Sequence, residues 1–161
     1  MTGRGADAAK AVGLATRAYH AAVREDWPAA NAAMAEAGRE DANVIALVMV
    51  AFCDTAIGLQ RDMKGMPPLE EGLAVAEEGP VRPGWVNAET GRVTLNADEM
   101  PAPERWAGRL VAARAAMDLD GFQALLRAMP ASGFERGKYA NALLRGVASL
   151  AVLAARNGDA A

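Results

Sequence analysis

Nearly a quarter of this chain is alanine, 39 of 161 residues, and that load narrows its possible folds more than any other feature. Alanine is the best helix former and is depleted from strands, so the composition predicts an all-α body of closely packed helices. A mass of 16.7 kDa gives room for a single domain with a substantial core. Hydrophobic residues make up 52% and charged residues 23%, which excludes a disordered tail and a collagen-like fibre. The formal net charge of -3 supplies no general positive field, so neither nucleic acid nor a membrane surface is expected as a partner. One cysteine and one histidine exclude, within one chain, a disulfide framework or a thiolate–imidazole metal cage.

The opening segment MTGRGADAAK lacks the apolar stretch of a secretory signal, and a lone thiol suits a reducing compartment; a cytoplasmic protein is expected. The longest apolar run, Val44 to Cys53, is ended by Asp54. A helix crossing a bilayer needs about 20 apolar residues, so this run predicts a buried core helix. Arginine outnumbers lysine 14 to 3, which with the alanine load points to a GC-rich bacterial genome.

Apolar spacing predicts six helices in two three-helix units, 5–63 and 104–157, joined by a linker over 64–103. In the first unit a helix over Asp7–Arg24 breaks at Glu25-Asp26-Trp27-Pro28, where Asp26 can cap the next one. That second helix ends at Gly38, and a third, apolar on nearly every face at its start, reaches about Met63. In the linker, Leu69–Glu78 reads as a short helix stopped by Gly79 and Pro80. Trp85–Ala88, Glu89-Thr90-Gly91 and Arg92–Leu95 read as a small β-hairpin. Its expected register sets Trp85 opposite Leu95 and Asn87 opposite Val93, so Trp85, Val93 and Leu95 share one face. Such a ribbon is marginal alone and needs the helices or a partner to cover it. The second unit has helices over about Glu104–Met117, from Asp118 or Asp120 to Pro130, and over Glu135–Arg156.

The two units match at a constant offset. Trp27, Met34, Gly38 and Glu40 stand ninety-five residues before Phe122, Met129, Gly133 and Glu135. Val48, Met49, Phe52 and Ile57 likewise precede Leu143, Leu144, Val147 and Val152. The stretch Asp26-Trp27-Pro28-Ala29-Ala30-Asn31-Ala32-Ala33-Met34 resembles the middle of a tetratricopeptide repeat, and Asp120-Gly121-Phe122 resembles it less closely. The likeness covers about twenty residues in each unit, and the chain departs from that family in lacking its regular period. What the resemblance implies is a helical-hairpin interaction scaffold, with no binding residue carried over.

Among residues able to carry chemistry, His20 reads as a helix-end or surface histidine, because no nucleophile or carboxylate lies near it in sequence. Cys53, at the end of the apolar run, reads as an inert buried thiol. Asp54 needs a partner, Arg24 or Arg145, unless it faces solvent. Asn141 and Arg145 interrupt an apolar helix one turn apart, lining a polar cleft or forming an exposed stripe. Met49, Met117 and Met129 read as core filler. Adjacent acidic pairs such as Glu70-Glu71 face different ways and make poor dyads, and no Gly-rich phosphate loop with its lysine is present. Arg105, Arg109 and Arg114 give one helix only a mildly basic side.

Two functions follow. The first is a non-catalytic helical interaction or scaffold module, self-associating, with Trp85, Val93 and Leu95 as the partner contact. The second is a small-molecule-binding regulator with an apolar pocket between the two units, beside Asp54, Asn141 and Arg145. No cofactor is expected, and an enzyme comes third, since it would have to work by carboxylates and arginines without a motif.

Overall fold

The computed structural model describes residues 2–62, 73–75, 82–86, 93–94 and 101–159. Among the described residues six helices carry the fold: α1 (Thr2–Val23), α2 (Trp27–Gly38), α3 (Ala42–Asp62), α4 (Ala102–Ala115), α5 (Leu119–Arg127) and α6 (Gly133–Asp159). Between α3 and α4 lie three short strands, β1 (Leu73–Val75), β2 (Arg82–Val86) and β3 (Val93–Thr94), paired antiparallel in that order.

Two expectations for the linker are corrected. Leu73–Val75, placed within a short helix over Leu69–Glu78, is a strand paired with Arg82–Val86. A helix of that length gains little from propensity alone, so pairing with a neighbouring strand overrides it. The register also differs: Trp85 is the partner of Thr94 and Val86 of Val93. This is one residue away from the pairing on which a shared face of Trp85, Val93 and Leu95 rests, and a one-residue slip exchanges the faces of a strand. Leu95 and the turn at Glu89-Thr90-Gly91 lie outside the described residues. β2 runs beside α4.

The links α1–α2 and α4–α5 are built alike. In the first, the Glu25 N–H donates to the Ala22 carbonyl (3.0 Å) and the Asp26 N–H to the Ala21 carbonyl (2.9 Å), with Glu25 at φ 61°. In the second, the Met117 N–H donates to the Arg114 carbonyl (3.1 Å) and the Asp118 N–H to the Ala113 carbonyl (2.9 Å), with Met117 at φ 57°. Both are left-handed helix terminations that satisfy the final carbonyls of one helix. The aspartate that follows then caps the next helix: Asp26 accepts from the Ala29 N–H (3.2 Å) and Asp118 from the Gly121 N–H (2.9 Å). These equivalent positions stand ninety-two residues apart, whereas the ninety-five-residue spacing matches buried positions of α3 and α6.

At the centre α3 packs on α6, and each also touches α1 and α4. α3 contributes Val44, Val48, Met49 and Phe52; α6 contributes Leu143, Leu144 and Val147, all nearly inaccessible. The buried side of α1 is mostly alanine (Ala11, Ala15, Ala18, Ala21, Ala22), which lets α2 and α3 approach its backbone closely. Trp106 of α4 joins three helices: its Nε1–H donates to the Leu125 carbonyl of α5 (2.8 Å), and its ring meets Tyr139 of α6 edge-on at 5.5 Å. Among the described residues α3 is the one helix long and apolar enough to cross a bilayer by length and composition. The ten-residue run understated its length, because Asp54 and Thr55 continue the helix to Asp62. Here its inward residues pack against α1, α4 and α6.

Candidate functional site

Between α2 and α6, over a floor of α3, lies a pocket of about 360 Å³. Its geometry follows from one contact. The Arg145 guanidinium of α6 stacks on the Trp27 ring at the start of α2, 4.5 Å from its centroid. Since Asn141 and Asn31 lie one turn inward from that contact, and Gly133 and Gly38 line the far side, the two helices run antiparallel along the pocket. One end therefore carries the two asparagine amides, and the other carries Arg39 and Arg136.

Apolar side chains fill the middle: Met34 from α2, Val48 and Met49 from α3, Met129 beyond α5 and Ala140 from α6. Three methionines make adaptable walls, since an unbranched thioether repacks around differing shapes. Gly38, Gly133 and Gly137 form part of the rim, and a Cβ built on any of them would meet no neighbouring atom within 4 Å. The Oδ1 of Asn141 is buried and accepts no hydrogen bond among the described residues. A buried acceptor without a donor carries a desolvation cost of about 1–3 kcal/mol, which a ligand supplying an N–H or O–H would offset.

The charges around the pocket are unevenly matched. Glu36, Glu40 and Glu135, which flank its lining, are engaged by Arg17 (2.8 Å), Lys10 (3.1 Å) and Lys138 (3.0 Å). Glu40 beside it also holds the Lys10 ammonium proton more firmly than usual. Arg136 donates its Nε and Nη2 to the Pro130 and Ala131 carbonyls (3.3 and 3.4 Å), and no carboxylate among the described residues pairs with Arg39 or Arg136.

The residues singled out from sequence are distributed as follows. Asn141 lines the pocket; Asp54 and Arg145 do not. Asp54 pairs with neither Arg24 nor Arg145 but with Arg114 of α4, two-pronged at 2.9 and 3.3 Å, and Arg114 also lies 5.9 Å from the Phe122 ring centroid. The packing of α3 on α4 decides that partner, and linear spacing carries no trace of it. Arg145 is exposed and held on Trp27. For Trp85 and Val93 the strand positions are described and the side chains are not; Leu95 lies outside the described residues.

His20 is exposed in the last turn of α1, edge-on to Tyr19 at 5.5 Å. Cys53 is fully buried, and burial, aided by the Asp54 carboxylate, pushes its thiol up to about 12. Among the described residues no group of three or more His, Cys, Asp or Glu side chains lies close enough to hold a metal ion. Met117, expected in the core, is 82% exposed, because it occupies the left-handed turn before α5. Sequence reading missed Asn31, Met34, Arg39 and Arg136 as pocket residues. The usable signal was Asn31, a lone amide inside an alanine run, opposite Asn141. No protein-family model, curated protein or solved structure matches the chain.

Proposed function

We propose that this protein is a non-catalytic, small-molecule-binding protein whose ligand occupies the pocket between α2 and α6. The observation that carries the reading is the orphaned Asn141 amide oxygen in a pocket whose middle is walled by apolar side chains. A concave apolar site with a few convergent polar groups is the usual form of a small-molecule site. The pocket draws α2 and α3 from one three-helix unit and α6 from the other, so a ligand there would bridge the two. That the units are a duplication belongs to the same reading. It is supported by the matching links at Glu25-Asp26 and Met117-Asp118 and by the matching burial of Leu14, Ala15 and Ala18 with Trp106, Ala107 and Leu110.

The reading is tested with Gly137→Leu, which adds an apolar side chain at the rim, where a Cβ meets no neighbouring atom within 4 Å, and raises helix propensity. Titration with the neutral apolar dye Nile red should give saturable fluorescence enhancement in the parent protein and none in the variant, with circular dichroism unchanged. Equal dye binding by both proteins would overturn it.

The self-associating interaction module is the second reading. Met117 and Leu119, 82% and 59% exposed beside each other at the α4–α5 corner, favour it. Light scattering at micromolar concentration should then report a dimer that Met117→Ser with Leu119→Ser converts to monomer.

A further inference from the structure

We infer that the ligand of this pocket is a single-tailed carboxylic acid of medium chain length, bound as its anion with the head at the Arg39–Arg136 end; the inference rests on the pocket reading above. Charge decides the head group. Among the described residues the pocket lining contains two arginines and no carboxylate, and the flanking Glu36, Glu40 and Glu135 are already engaged by Arg17, Lys10 and Lys138. An anion at that end therefore meets a guanidinium that no acid among the described residues neutralises, and a cation meets repulsion.

The number of charges follows from the donors. Arg136 spends its Nε and Nη2 on the Pro130 and Ala131 carbonyls, which leaves Arg39 as the principal donor fork. One such fork matches one carboxylate, bidentate, and a monoanion is the better fit. Length follows from the helix. From Asn31 to Arg39 the pocket runs along α2 for a rise of about 12 Å, the span of an extended medium-length acyl chain. The tail lies among Met34, Val48, Met49 and Met129, and a hydrogen-bond donor near the tail's end would meet the Asn141 oxygen.

The experiment is displacement of Nile red from the parent protein by decanoate, decanol and decylammonium, with acetate as a tailless anion. Decanoate should displace the dye at a concentration about tenfold or more below decanol; decylammonium should be weaker still and acetate without effect. Added salt should narrow the gap between acid and alcohol. Arg39→Gln should bring decanoate and decanol together, each displacement being referred to the variant's own dye affinity. Because Arg136 also braces the α5–α6 link, Arg136→Gln is read only alongside its circular dichroism. Equal displacement by decanol and decanoate, or a preference for acid that survives Arg39→Gln, overturns the anionic head while leaving the pocket reading intact. Failure of Nile red to bind at all removes that reading and this inference together.

Discussion

Cys53 shows how burial turns a reactive group into packing. Its thiol is held up to about 12, chiefly by desolvation, against 9.0 for the free group. The unfolded chain thus loses the proton near pH 9 while the folded one keeps it. Folding stability from this group is intact below pH 9 and declines as pH rises toward about 12. Urea midpoints measured across that interval should fall, and Cys53→Ala should remove this part of the slope. At neutral pH the parent thiol should react with a disulfide reagent only as fast as the protein unfolds. The Asp54–Arg114 pair is another matter. Both side chains are substantially exposed, so Asp54→Asn should cost less than about 1 kcal/mol and less still in high salt. Asn141→Leu goes the other way: removing an unpaired buried acceptor should leave the ligand-free protein as stable or raise its midpoint, by up to about 1 kcal/mol.

Helix α5 depends on a single cap. Asp118 accepts the Gly121 N–H, and a Cβ on Gly121 would collide with the Asp118 carboxylate. Gly121→Ala should therefore destabilise the protein by about 1 kcal/mol despite alanine's better propensity, because it displaces the cap. Met117→Gly should stabilise it by about 1 kcal/mol, since glycine adopts φ 57° without the Cβ penalty. Thermal midpoints of the two variants should shift in opposite directions. Glu25→Gly, at the matching link between α1 and α2, should behave like Met117→Gly. The helix breaks were readable because capping chemistry is local: Asp26 and Asp118 announce themselves within four residues. The linker was not readable in the same way. Strand pairing of Leu73–Val75 with Arg82–Val86 depends on residues several positions apart, and its register on a turn whose geometry the residue types underdetermine.

Because α3 and α6 pack on each other and both touch α1 and α4, the six helices share one core. Trp27 of α2 and Trp106 of α4 should therefore report coincident unfolding transitions in urea, matching circular dichroism. Phe52→Ala should lower stability by about 3–5 kcal/mol and shift both signals together, since that ring is 1% exposed at the centre. Separate transitions for the two ends would show that the shared core does not couple them.

Alanine content, apolar periodicity and the two capping aspartates were enough to define six helices and their breaks, because each of those signals is written within a turn or two of the chain. Which cation meets Asp54, where Met117 faces, and which amides and guanidiniums gather around Met34 and Met129 came from the way the helices stack. Residues from α2, α3 and α6 become neighbours only once the helix axes are fixed, and the spacing of side chains along any one helix holds no information about the angle at which another crosses it.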